Sequence, residues 1–162
     1  MAFSLFMTAE MLQRRLDLLY RECEKAAKDG EIPIAALVFD EEEEVLLHNE
    51  VERRDDPLSH AEILALEEMM KRKKTRYLKD CSLLVSLEPC LMCLGAILKA
   101  GIKDLYYVLD DEKKGAFSYY HVFADDVLRI HRIKDDRHKK LMDRFFQSMR
   151  EQNKEKKILS QN

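Results

Sequence analysis

Short apolar runs alternate along the chain with segments of helical periodicity. In residues 9–29 apolar positions repeat every three to four residues, which predicts an amphipathic helix. The continuous apolar run 34–39 instead predicts a strand covered on both faces. The predicted helices are residues 9–29, 60–73, 90–100 and 136–153. The predicted strands are residues 34–39, 45–48, 81–86, 104–109 and 127–133.

Residues that favour helix ends support these boundaries. Gly30 and Gly101 follow predicted helices, where glycine adopts the left-handed conformation at little cost. Ser59 is placed to cap the helix that begins at residue 60, and Pro89 precedes the helix that begins at residue 90. The polar residues 154–162 are predicted to fray.

Strands alternate with helices over the whole length, and no internal repeat or linker interrupts them. This order indicates one α/β domain over residues 1–153, in which helices pack on the faces of a sheet. The first two strands flank the acidic run 41–44, which places that run in the turn of a hairpin.

Composition narrows the class of protein. With 162 residues, 46% of them hydrophobic and 36% charged, the chain is neither collagenous nor disordered, and it can bury a core without disulfides. No apolar run approaches the roughly 20 residues that span a bilayer. The apolar segment 1–7 lacks the basic start of a signal peptide. We therefore expect a cytoplasmic protein without membrane contacts. Its four cysteines are expected to be reduced, and they favour metal binding or catalysis over a disulfide framework.

Charge is unevenly distributed although the net charge is only −3. Residues 129–157 carry 11 Lys or Arg against 5 Asp or Glu, and a second basic cluster covers residues 71–76 with Lys79. Such clusters form exposed helix faces or surfaces that follow phosphates. Charge alone favours exposed helix faces.

Two short segments carry the candidate chemistry, and both lie at predicted helix starts. They are His60-Ala61-Glu62 and Pro89-Cys90-Leu91-Met92-Cys93. Cysteines three residues apart on a first helical turn point their sulfurs to one side, and the helix N-terminus favours the thiolate form. Imidazole nitrogen and thiolate sulfur are ligands that Zn²⁺ prefers. A dithiol redox pair or a core histidine would each explain only one of the two segments.

His60, Cys90 and Cys93 supply three ligands, and Cys23 and Cys81 have the surroundings of core residues instead. Three protein ligands leave one position for water, as in a catalytic zinc site. Glu62 would act as general base and then general acid while an amine leaves a ring carbon as ammonia.

The His-x-Glu and Pro-Cys-x-x-Cys pair resembles the signature of zinc-dependent nucleoside and nucleobase deaminases. Over about residues 10–153 the chain is most similar to bacterial tRNA adenosine deaminases, which convert wobble adenosine to inosine. The resemblance implies a three-layer α/β/α cytidine-deaminase-like fold with a mixed five-stranded central sheet. It also implies one Zn²⁺ per chain, a homodimer, and a tRNA anticodon stem-loop as partner.

The same resemblance assigns further residues. Those expected to bind substrate are Asn49, Ala61, Pro89 and Asp111. Those expected to contact RNA are Lys113, Lys114, Phe117, Arg144, Phe146 and Arg150. The last three lie in the basic segment 129–157, so the resemblance favours phosphate contacts there.

Some positions depart from the family pattern. Ala35 and Leu47 stand where the family has glycine, and Phe117-Ser118-Tyr119-Tyr120 replaces a run of small residues. These aromatic residues would serve either as stacking platforms for nucleotides or in core and dimer packing. Two alternative functions therefore stay open: a deaminase of a free base or nucleoside such as guanine, cytosine or cytidine, and a non-catalytic zinc-binding subunit. The presence of Glu62 argues against the second.

Overall fold

The computed structural model describes residues 7–161. Most of the N-terminal segment for which we expect no signal peptide therefore lies outside the described residues. The helices are α1 (Ala9–Lys28), α2 (Val51–Arg54), α3 (Ala61–Lys73), α4 (Leu91–Ala100) and α5 (Asp136–Leu159). The strands are β1 (Ala35–Phe39), β2 (Glu44–His48), β3 (Ser82–Leu87), β4 (Asp104–Leu109) and β5 (Arg129–Arg132).

The five strands form one mixed sheet in the order β2-β1-β3-β4-β5. Strand β1 is antiparallel to both β2 and β3, whereas β3, β4 and β5 run parallel. Ala35 pairs with His48, and Ala36 pairs with Val85. The last residues of β2 and β3 therefore lie at the same edge of the sheet.

Helices cover both faces of the sheet, which confirms the three-layer prediction. Strand β1 is wholly buried because its residues alternate between two cores. Leu37 packs in the core formed with α1 and α5, whereas Val38 packs in the core formed with α3 and α4. Of the described helices, none is long and apolar enough to cross a membrane.

Three details of the predicted elements are wrong. Helix α3 begins after His60, which occupies the cap position, while the Ser59 hydroxyl donates to Asp56 instead of capping the helix. Helix α5 extends to Leu159, beyond the predicted end at residue 153, and no glycine or proline interrupts it. The short helix α2 was not expected. That residues 1–153 form one domain stays a prediction.

Candidate active site

The two candidate segments meet at the N-termini of two neighbouring helices. His60 is the N-cap residue of α3, and Cys90 is the N-cap residue of α4. No side chain caps either helix. Cys93 lies on the first turn of α4 and is buried, whereas His60 and Cys90 are half-buried. The cap positions of His60 and Cys90 leave their side chains free of the helix bodies, so that both can face Cys93 on the first turn of α4.

The three side chains have the spacing of a tetrahedral metal site. His60 Nδ1 lies 3.6 Å from Cys90 Sγ and 3.5 Å from Cys93 Sγ. Tetrahedral zinc bonds of ordinary length hold nitrogen and sulfur ligands about 3.6 Å apart. The nitrogen and both sulfurs lie within 4.8 Å of one another. Geometry and donor chemistry therefore both fit Zn²⁺, with Nδ1 as the imidazole ligand.

The two thiols are electrostatically unequal. A hydrogen bond from Cys93, with a further bond to His60, lowers the pKa of Cys90 to about 4. The same bond to Cys90, together with burial, raises the pKa of Cys93. These opposite shifts favour the thiolate form of Cys90 and the protonated form of Cys93, and a metal ion bound to both sulfurs would displace the remaining proton.

Glu62 lies on the first turn of α3, two residues after His60, and is buried. Burial raises the pKa of this carboxyl to about 7, while His60 and a hydrogen bond with Cys93 act in the opposite direction. A carboxyl with a pKa near neutral both accepts and releases protons readily. The position beside Cys93 therefore suits the proton transfer expected of Glu62.

Asn49 follows β2 at the edge where β3 also ends, and it is buried. Its Nδ2 donates to Glu31 at 3.4 Å. The Glu31 carboxylate also accepts from the backbone N–H groups of Glu52 and Arg53, at 3.1 and 2.7 Å. Glu31 thus holds the start of α2 and orients the Asn49 amide, leaving the Asn49 oxygen as an acceptor.

The loop after β4 lies directly against the metal-ligand segment. Gly115 forms a bridge with Cys90, and the Ala116 N–H donates to the carbonyl of Pro89 at 2.9 Å. Asp111 Oδ1 accepts from the N–H groups of Lys113 and Lys114, both at 3.1 Å. One Asp111 oxygen therefore shapes the loop.

Ala61 and Pro89 are buried in the walls around the cluster. Lys113 and Lys114 are exposed on the loop. Phe117 is half-buried, stacks on Tyr107 with ring centroids 6.0 Å apart and packs against the core. Tyr119 and Tyr120 are exposed, and their two rings contact each other with an interplanar angle of 84°.

Helix α5 carries the remaining predicted RNA contacts. Arg144, Phe146 and Arg150 are all exposed. Phe146 packs edge-on against Phe145, with ring centroids 5.5 Å apart. No ion pair in the described residues neutralises Arg144 or Arg150.

Outside the cluster, the other cysteines and histidines have different surroundings. Cys23 and Cys81 are buried as predicted. His48 contacts Glu22, and His131 contacts Asp104. In residues 7–161 only His60, Cys90 and Cys93 form a group able to hold a metal ion.

Two acidic residues near the cluster have contacts that the sequence analysis missed. Glu31 holds Asn49 and α2, and Glu88 binds the loop after β4. Glu88 stands directly before the Pro-Cys motif, but its partners lie 23 or more residues away. The motif could have drawn attention to Glu88, but its spacing gives no information about contacts with residues so far along the chain.

Comparisons with known proteins agree with this geometry. Residues 12–150 match the MafB19-like deaminase family. The chain is 35% identical over 142 residues to the tRNA-specific adenosine deaminase of Aquifex aeolicus, covering 83% of this chain and 93% of that protein.

Two solved structures have a similar fold. One comes from work on A-to-I editing by tRNA:A34 deaminases at the wobble position of transfer RNA. It has a TM-score of 0.73 and 26% identity, covering 80% of this chain and 99% of that chain. The other is a guanine deaminase from Bacillus subtilis, with a TM-score of 0.60 and 25% identity, covering 86% and 93% of the two chains. The chain therefore belongs to the MafB19-like deaminase family, among the tRNA-specific adenosine deaminases.

Proposed function

We propose that this protein hydrolyses adenosine to inosine at the wobble position of tRNA anticodon loops, using one zinc ion per chain. The observation that carries the proposal is the cluster of His60, Cys90 and Cys93 with the buried Glu62 beside it. A structural metal site has no use for a buried carboxyl whose pKa lies near neutral. The arrangement therefore favours an enzyme over a non-catalytic subunit.

His60 Nδ1 and the sulfurs of Cys90 and Cys93 would hold the ion. When bound there, zinc supplies Lewis acidity that makes water a nucleophile at neutral pH. Glu62 accepts the proton that water loses as its oxygen bonds to C6 of adenine. The same carboxyl passes this proton to a ring nitrogen and then moves the proton of the new hydroxyl to the amino group, so that the C6–N bond breaks, ammonia leaves and a C6 carbonyl forms. The raised pKa of Glu62 suits both directions of transfer.

Substrate recognition would use Asn49, Ala61, Pro89 and Asp111. The Asn49 oxygen would accept a hydrogen bond from the nucleoside, because its amide nitrogen is held by Glu31. The Ala61 N–H would hold the base, since no side chain caps the first turn of α3. Pro89 and Asp111 would border the base from the other side. An anticodon-loop base is already unpaired, so moving it into such a site is comparatively cheap.

The RNA surface would extend from Lys113 and Lys114 to the exposed face of α5. Arg144 and Arg150 have no acidic partner among the described residues, so they are available to phosphates. Phe146 offers an exposed ring for base stacking. We further propose a cytoplasmic homodimer, as the resemblance to this family implies.

A deaminase of free bases would use the same zinc chemistry, and the similarity to a guanine deaminase keeps this second candidate open. The structure from the work on tRNA:A34 deaminases superimposes better than the guanine deaminase does, with a TM-score of 0.73 against 0.60, which favours RNA. Salt separates the two candidates, because RNA binding weakens steeply as salt rises and small-substrate turnover does not.

The proposal is tested by mass spectrometry on an anticodon stem-loop with adenosine at the wobble position. Zinc-loaded wild type and Glu62→Gln would each be incubated with the RNA. Exchange of the amine for an oxygen adds about one dalton. A shift with wild type alone supports the reaction and the role of Glu62. No shift, with zinc confirmed bound, would contradict the proposal.

A further inference from the structure

Glu88 is a buried carboxylate between the end of β3 and the Pro-Cys motif. Only 2% of the residue is exposed. No Lys, Arg or His in residues 7–161 forms an ion pair with it. The hydrogen bonds of its side-chain carboxylate all come from the loop after β4, so that loop alone compensates for the burial of the carboxylate.

Both oxygens of the carboxylate are used. Oε2 accepts from the Asp111 N–H at 2.9 Å and from the Ser118 hydroxyl at 2.6 Å. Oε1 accepts from the N–H groups of Phe117 and Ser118, both at 2.7 Å. The donors come from the two ends of residues 111–118. One side chain therefore closes this loop, which borders the proposed substrate site.

The loop packs directly on the carboxylate. A Cβ atom at Gly115 would lie 2.5 Å from Glu88 Oε1 and 2.5 Å from the Asp111 carbonyl oxygen. Only glycine fits this approach. At the same point Gly115 pairs with Cys90, and the Glu88 N–H donates to the carbonyl of Leu109 at 2.7 Å. The carboxylate, the loop and a metal-ligand residue thus form one packed unit.

We infer that Glu88 is a positioning residue, which holds the loop 111–118 against Cys90 and so fixes the wall that meets the substrate. This inference rests on the proposed function for its kinetic consequence. Glutamine cannot replace the carboxylate, because an amide has one acceptor oxygen and its NH₂ group would face N–H donors. A Glu88→Gln variant therefore leaves loop donors unpaired.

The first test compares zinc-loaded wild type and Glu88→Gln on the anticodon stem-loop. We expect kcat/KM to fall at least tenfold, mainly through a higher KM, with the zinc content unchanged. The matched control is Asp104→Asn, which removes another buried carboxylate at the opposite end of β4. It should lower stability and leave KM unchanged.

A second readout does not depend on activity. The Asp111, Phe117 and Ser118 amides should exchange hydrogen faster in Glu88→Gln than in wild type, and Asp104→Asn should not change them. If Glu88→Gln does not fold, Ser118→Ala removes one of the four bonds and should raise KM about fivefold.

Three results would overturn the inference: wild-type kcat and KM in Glu88→Gln, unchanged exchange at these amides, or zinc loss in parallel with activity. If wild type deaminates no RNA, the proposed function fails, and the exchange measurement alone decides whether Glu88 positions the loop.

Discussion

A buried histidine on α5 should make the protein less stable in acid. His138 and Leu141 are the two buried side chains of this helix. Neither ring nitrogen of His138 has a hydrogen-bond partner, and the ring packs edge-on against Tyr20 of α1. Burial lowers the pKa of His138 to about 4. The nearby Asp135 carboxylate, 3.9 Å from Nε2, acts in the opposite direction, and the Arg137 guanidinium adds to the lowering.

The magnitude follows from the difference in pKa between the folded and unfolded states. An unfolded histidine titrates at 6.5, so as pH falls the unfolded chain takes up the proton first and is favoured. The contribution of neutral His138 to stability is therefore fully present above pH 6.5 and is lost as the pH falls from 6.5 toward 4. Between pH 8 and pH 5 this one group removes about 2 kcal/mol from the free energy of unfolding.

Urea unfolding of wild type and His138→Phe at pH 8 and pH 5 tests this reasoning. Phenylalanine keeps a planar ring, and the substitution removes no hydrogen bond. Both proteins contain the same candidate zinc site, so the acid sensitivity of that site cancels in the comparison. Wild type should lose about 2 kcal/mol more than the variant on acidification. The control His121→Asn changes an exposed histidine and should behave as wild type. Equal losses in wild type and His138→Phe would refute the burial argument.

Three further substitutions have separate expected results. Cys93→Ser should abolish stoichiometric zinc binding measured by metal analysis; full retention would exclude this sulfur as a ligand. Glu31→Gln should raise KM with little change in kcat, because Asn49 loses its orientation, and an unchanged KM would contradict that role. Arg150→Ala should reduce the slope of log binding constant against log salt for the stem-loop by about one unit. Lys103→Ala, at the far edge of the sheet, should leave the slope unchanged, and equal slopes in all three proteins would remove Arg150 from the RNA surface.

Sequence reasoning succeeded where the cause was local. The apolar run of β1 and the helical spacing of α1 depend on neighbours along the chain, and both elements lie where predicted. The grouping of His60, Cys90 and Cys93 could be anticipated from the sequence, because Cys90 and Cys93 share one helical turn and His60 precedes another helix. Their convergence needed only that both helices begin at one edge of the sheet.

The sequence did not predict features that depend on contacts between residues far apart along the chain. Helix α2 is only four residues long, and its first N–H groups are bound by Glu31, more than 20 residues earlier. The interactions of Glu88 likewise join segments 23 to 30 residues apart. The end of α5 was misplaced for another reason. The polarity of residues 154–162 suggested a helix end at 153, but polar residues other than glycine and proline continue a helix readily.

Substrate choice can be measured directly by offering one zinc-loaded preparation two classes of substrate. The kcat/KM for the wobble adenosine of an anticodon stem-loop would be compared with that for free guanine and free cytosine, at low and at high salt. We predict turnover of the stem-loop that falls steeply with salt, and none of either base. Turnover of guanine or cytosine, with the stem-loop unchanged, would contradict a tRNA adenosine deaminase.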